Sequence, residues 1–202
     1  LNREQNEAKG INTPVARYQF LKNILPLIFE QSEIVKYNNE LSLLSKSAEV
    51  QSYLKAEEAE MLNELRMQNE YYQRIFSESL EWWQTQIKIW NEEKQNLSRN
   101  KLYQRIKSYL SLAIYMTISS PQARQDALIM EKLTELYSLV DPENNEWAYQ
   151  KAILRASQGN INEAELLIRR GVELGFADKE RFLKQVEFVP LHSNVQILSL
   201  FK

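Results

Sequence analysis

Residues 49–90 read EVQSYLKAEEAEMLNELRMQNEYYQRIFSESLEWWQTQIKIW, a stretch without one proline or glycine. The gap is wider still, because neither residue occurs between Pro26 and Pro121 and the whole chain holds only four glycines. Inside a helix, glycine is about 1 and proline about 3 kcal/mol less favourable than alanine, so their absence predicts long helices. Leu54, Met61, Leu65, Tyr72, Phe76, Trp83, Ile87 and Trp90 mark one apolar side. Tyr71, Ile75, Trp82 and Ile89 widen it beyond a coiled-coil seam, enough to touch two neighbouring elements. The fold class is all-α.

Outward from this stretch, the helix boundaries follow from capping chemistry. Thr13-Pro14 is a helix start, threonine capping free amides and proline occupying the first helical position. Tyr18, Leu21, Leu25, Ile28 and Phe29 follow at helical spacing, with a kink or break expected at Pro26. Tyr37-Asn38-Asn39 is expected to end this arm. Leu41, Leu43 and Leu44 open a short helical stretch that Ser45-Lys46-Ser47 interrupts. On the other side, polar residues Asn91 to Asn100 form the expected turn. Leu102, Ile106, Tyr109, Leu110, Ala113, Ile114 and Met116 then build a strongly apolar, central helix. Ser119-Ser120-Pro121 restarts a helix whose inner face is Leu128, Ile129, Leu133, Leu136 and Leu139, and Asp141-Pro142 ends it. Residues 1–12 are polar and read as a loose leader. The expected organisation is a leader over 1–12, a long-helix hairpin or bundle over 13–120, and a repeat-like unit over 121–202.

Composition narrows the function classes. At 202 residues the chain can bury a proper core. Its net charge of -2 comes from interspersed acids and bases, which argues against a nucleic-acid binder and against a polybasic membrane-surface helix. With no cysteine, disulfides, thiolate chemistry and Cys-ligated metals are excluded. The longest apolar run, Ile24 to Phe29, is too short to span a bilayer. The chain starts at Leu1 rather than Met. An upstream tag or export signal is therefore expected to have been removed, with an exported, periplasmic protein as one expectation, membrane anchoring through that N-terminus left open, and a cytoplasmic protein as the alternative.

Trp147-Ala148-Tyr149-Gln150-Lys151-Ala152 leads through Gln158-Gly159-Asn160 to Asn162-Glu163-Ala164, Ile168, Gly171 and Leu174. Small residues at Ala152, Gly159, Ala164 and Gly171 resemble the spacing of a tetratricopeptide (TPR) repeat, of period about 34 residues. Ala152 and Ala164 would let two helices approach, Gly159 would supply a left-handed turn, and Gly171 would let the next helix pack. Gly175 to Asp178, Phe182-Leu183 and Phe188 to Leu191 resemble the terminal cap of such arrays. The resemblance covers roughly 121–202 and implies antiparallel helical hairpins in a short TPR-like right-handed solenoid, with long N-terminal helices. Lys151 and Arg155 depart from it, standing where the family carries large apolar residues; the helix is then rotated, or the array is short and unusually packed.

By that resemblance the chain is a non-enzymatic scaffold that holds a protein or peptide in a groove, and Glu146, Tyr149, Ile153 and Ala156 face it. Tyr149 and Ile153 equally suit a core. Among the aromatics, Trp83 and Trp90 suit a hairpin core, while Trp82, about 100° round the helix from Trp83, is the candidate for partner contact. The single histidine, His192, has no nucleophile and carboxylate spaced to make it catalytic and reads as structural. Glu57/Glu58 and Glu92/Glu93 diverge on their helices and do not make a metal site. No cofactor or metal is expected. The alternatives are an assembly protein self-associating through the aromatic helices, making a homo-oligomer, or an all-α glycan binder or enzyme.

Overall fold

The hydroxyl of Thr13 accepts a hydrogen bond from the Ala16 amide at 3.1 Å, and Pro14 takes the first position of α1 (Pro14–Ile24). The computed structural model describes residues 13–201, and the leader expected over 1–12 lies outside them. Among the described residues all regular structure is helical and no strand occurs. Contacts divide the chain into two compact units, Leu1–Leu65 and Arg66–Lys202, so position 120 falls inside the second.

In the first unit, α1 gives way at Pro26 to a tight 3-10 turn, Leu25–Leu27. Helix α2 (Gln31–Leu44) then runs straight through Tyr37-Asn38-Asn39, where an end was expected. Asparagine is a weak helix former but not a breaker, and its cost of less than about 1 kcal/mol does not stop a helix held elsewhere. One such hold is the two-pronged pair from Arg17 to Glu40, at 2.7 and 3.0 Å. The interruption expected at Ser45-Lys46-Ser47 does occur. The Ser45 hydroxyl donates to the Ser42 carbonyl at 2.8 Å, and Ser47 Oγ accepts from Val50 N at 3.3 Å, opening α3 (Ala48–Ser77). Tyr18, Leu21 and Val50 are the buried apolar residues of this unit.

The second unit shows a break that the apolar periodicity hid. Helix α3 ends at Ser77, and Ser79 Oγ accepts from Trp82 N at 3.2 Å to start α4 (Leu80–Glu92). The side read as continuous from Leu54 to Trp90 is therefore two helices, because serines offer the backbone a local alternative partner. Trp83 Nε1 donates to the Arg74 carbonyl at 3.3 Å, and Tyr71 meets Trp90 edge-on with ring centroids 4.8 Å apart. The expected turn follows, with Asn96 Oδ1 accepting from Arg99 N at 3.1 Å to open α5 (Leu97–Ile118). Ser120-Pro121 starts a helix as expected, but α6 (Pro121–Arg124) lasts one turn. Asp126 then caps α7 (Ala127–Val140), Oδ1 accepting from Leu128 N at 2.9 Å and Ile129 N at 3.1 Å. The inner face of α7 is Met130, Leu133, Leu136, Tyr137 and Val140, while Leu128 and Ile129, in its first turn, are exposed.

Helices α8 (Asn145–Ser157) and α9 (Ile161–Glu173) pack closely through Ala152 and Ala164, both fully buried. Gly159 turns the chain between them at φ +80°, with Asn160 N donating to the Arg155 carbonyl at 2.9 Å. Gly171 is buried, but a methyl there would meet Ala148, Asn145 and Phe176 at ordinary contact distances of 3.8 Å, so close approach does not require glycine. The short helix α10 (Lys179–Lys184), a 3-10 turn over Val186–Leu191 and α11 (Val195–Leu198) complete the unit.

Two apolar clusters organise these helices. The first joins Trp83, Trp90, Ile106, Leu110, Leu136 and Tyr137 with their neighbours. The second joins Ala152, Ala164 and Tyr149 to Phe176, Phe182 and Phe188. Gly159→Val is expected to lose about 1–3 kcal/mol of unfolding free energy, since valine resists positive φ. Gly171→Ala is expected to be neutral or to gain up to about 1 kcal/mol, because helix propensity improves where a methyl fits. Urea unfolding followed by circular dichroism checks both.

Candidate functional site

Helix α5 is apolar on two sides. Ile106, Leu110, Ile114 and Ile118 recur every fourth residue and are fully buried. Leu112 and Met116, also four apart, are 58% and 65% exposed. Around them lies an open groove of about 510 Å3, lined by Tyr109, Leu112, Ala113, Met116 and Thr117 of α5, Tyr72 of α3 and Ser120. Tyr72 is fixed edge-on against Phe76, centroids 6.0 Å apart, and Phe76 is itself half exposed.

Leu112 also lines a second, more polar hollow of about 300 Å3, with Ser108, Ser111, Tyr115, Tyr137, Asn144 and Glu146. The Ser111 hydroxyl donates to Asp141 Oδ2 at 2.6 Å, and Asn144 Nδ2 donates to the same oxygen at 3.0 Å. The two hollows share one side chain, giving an apolar floor that passes into hydroxyl, amide and carboxylate groups.

Of the sequence-derived partner residues, Glu146 alone lines these hollows. Its carboxylate is held by both terminal nitrogens of Arg181, at 2.5 and 2.9 Å. Tyr149 is 1% exposed and belongs to the second core, its ring against Phe176 and Phe188. The Arg181 guanidinium covers that ring at 4.2 Å, and the Tyr149 hydroxyl donates to the Arg181 carbonyl at 3.3 Å. Ala156 is buried in the same core and Ile153 packs against it. Ile153 stays half-buried, and neither residue lines the α5 hollows. Trp82 is half-buried, edge-on to Trp83 and under the Arg74 guanidinium at 5.0 Å.

Lys151 and Arg155, the departures from the repeat pattern, tie helices together. Lys151 pairs with Glu135 of α7. Arg155 pairs with Glu131 of α7 at 2.5 and 2.6 Å and with Glu163 of α9 at 2.8 Å. Charged heads thus do here what apolar contacts do elsewhere, with their stems buried alongside. The hydrogen bond from Arg155 holds the Glu131 carboxyl below the usual carboxylate range.

His192 Nε2 donates to the Phe182 carbonyl at 3.2 Å, and its ring meets Phe182 edge-on, a structural placement. Among the described residues no group of three or more His, Cys, Asp or Glu side chains is arranged to hold a metal, and no helix is long and apolar enough to cross a membrane. No family model matches the chain, and no curated protein or solved structure matches it.

Sequence reasoning missed Leu112 and grouped Tyr109 and Met116 with the buried stripe. The spacing held the clue, because residues 109, 112 and 116 repeat at helical intervals on a different side from 106, 110 and 114.

Tyr149→Ala is expected to cost about 3–5 kcal/mol, as large aromatic truncations in cores do. Burial also pushes the phenols of Tyr137 and Tyr149 up to about 12. A phenol whose folded pKa exceeds its unfolded value near 10 stabilises the fold below pH 10, and that contribution fades as pH rises through 12. Absorbance titration at 295 nm should show two late phenols, with melting temperature falling between about pH 10 and 12.

Proposed function

We propose that this chain is a non-catalytic protein-interaction module whose α5 groove holds a short segment of a protein partner. One observation carries the reading: Leu112 and Met116 stand exposed in a hollow that Tyr72 and Tyr109 wall on the apolar side and that continues into Ser108, Ser111, Asn144 and Glu146. A concave surface of this kind offers apolar side chains an anchor and gives a peptide backbone hydroxyl and amide partners that fix its direction. The hairpin of α8 and α9 supports the same reading. We take it as one TPR-like antiparallel unit, turned at Gly159 and closed by Ala152 and Ala164, with α7 as the neighbouring helix. In this reading the groove is displaced from the first helix of the hairpin onto α5, because Lys151 and Arg155 commit that face to ion pairs.

Selection of a random peptide display library on the intact chain tests the proposal. Enriched peptides should carry an apolar anchor and should bind Leu112→Asp/Met116→Asp at least tenfold more weakly, with unchanged circular dichroism. Leu128→Asp, which alters an exposed leucine away from the groove, should bind them normally. Equal binding to all three proteins, or no enrichment, would overturn the reading.

A further inference from the structure

The polar hollow beside Leu112 presents oxygen lone pairs rather than protons. The buried Ser111 hydroxyl gives its proton to Asp141 Oδ2 at 2.6 Å, and the Ser108 hydroxyl donates to the Gln104 carbonyl at 3.0 Å. Each serine oxygen is thus left with only lone pairs to offer the hollow it lines. Asn144 is committed as well. Its amide nitrogen donates to Asp141 Oδ2 at 3.0 Å, and its side-chain oxygen accepts from Glu146 N at 3.0 Å.

The charges point the same way. The side-chain partners of Asp141 are Ser111 and Asn144, both neutral, so no ion pair balances its carboxylate. Glu146 is balanced by Arg181, at 2.5 and 2.9 Å. Of the basic residues just before Ser108, Lys107 donates to Asn91 Oδ1 at 2.6 Å and Arg105 has contacts of its own. A cation hydrogen-bonded to Ser111 Oγ from the hollow stands within about 6 Å of the Asp141 carboxylate. A hydroxyl that already donates to an anion also accepts more strongly. A carboxylate in the same place would face lone pairs and a like charge, and an apolar group would leave the serine acceptors unpaired. Lysine and arginine heads carry donors and no acceptor, which matches the hollow.

We propose that the segment held in the α5 groove carries a lysine or arginine beside its apolar anchor, its cation seated at Ser108 and Ser111 and balanced by Asp141. This rests on the groove reading above and names the partner's second contact. Leu112, common to both hollows, sets the anchor and the cation side by side.

The probes are labelled peptides enriched on the intact chain from a random display library, each paired with an analogue whose basic residue next to the anchor is replaced by glutamine. Fluorescence anisotropy should show each analogue bound at least fivefold more weakly, with the gap narrowing as salt rises. Asp141→Asn, which keeps an oxygen for Ser111 and Asn144, should weaken the basic peptide at least fivefold and its analogue less than twofold, the non-additivity of a direct pair. If that change alters the circular dichroism, Ser108→Lys, at an exposed position, gives the same comparison by placing a cation in the hollow. Glu92→Gln, equal in charge change and exposed elsewhere, should leave both peptides unaffected. Met116→Asp, which alters the apolar groove and not the hollow, should weaken both at least tenfold. No enrichment, equal binding to Met116→Asp, or a concentration-dependent dimer that Met116→Asp abolishes would overturn the groove reading and this proposal together. Peptides that need Met116 yet carry no basic residue beside the anchor would overturn this proposal alone, as would equal losses of peptide and analogue on Asp141→Asn or its Ser108→Lys substitute.

Discussion

Burial of the ladder Ile106, Leu110, Ile114 and Ile118 along α5 is the constraint from which the larger unit follows. All four side chains are shut away from water, each contributing about 1.5–3 kcal/mol relative to exposure. Helices α4 and α7 gather against this line, and the tryptophans of the α3–α4 fold-back fill the space beside it. Fixing one side of a helix also fixes the other, so Leu112 and Met116 are turned outward by the same geometry.

The second cluster is built on a different principle. Between α8 and α9 the contact is made by alanines, which admit the backbones closely but contribute little apolar area each. The aromatic rings of Tyr149, Phe176, Phe182 and Phe188 supply the bulk at one end. Ion pairs of Lys151 and Arg155 bind α8 to its neighbours along a flank where the stems of those side chains are largely covered. Partial shielding from solvent and several partners per guanidinium make such a network more effective than isolated surface pairs.

Much of this was legible in the sequence because caps and breakers are local. Thr13-Pro14, Pro26, the Ser45 to Ser47 interruption, Asn96, Ser120-Pro121 and Asp141-Pro142 all act where their chemistry says they should. What escaped was decided by subtler competition. The Ser77 to Ser79 break carries neither proline nor glycine, and apolar spacing on both sides of it matches by chance. Asn38 and Asn39 weaken a helix without ending it. The groove escaped because hydrophobic residues wrap α5, and sequence alone does not say which of two apolar sides meets other helices. Tyr149 suited a wall or a core equally, and only the rings packed around it decide for the core.

All four tryptophans, at 82, 83, 90 and 147, lie in or against the first cluster, and none lies in the second. Indole emission from this protein is thus an optical reporter of one core alone, blind to the state of the alanine- and phenylalanine-rich half, whose ultraviolet signature is that of a tyrosine.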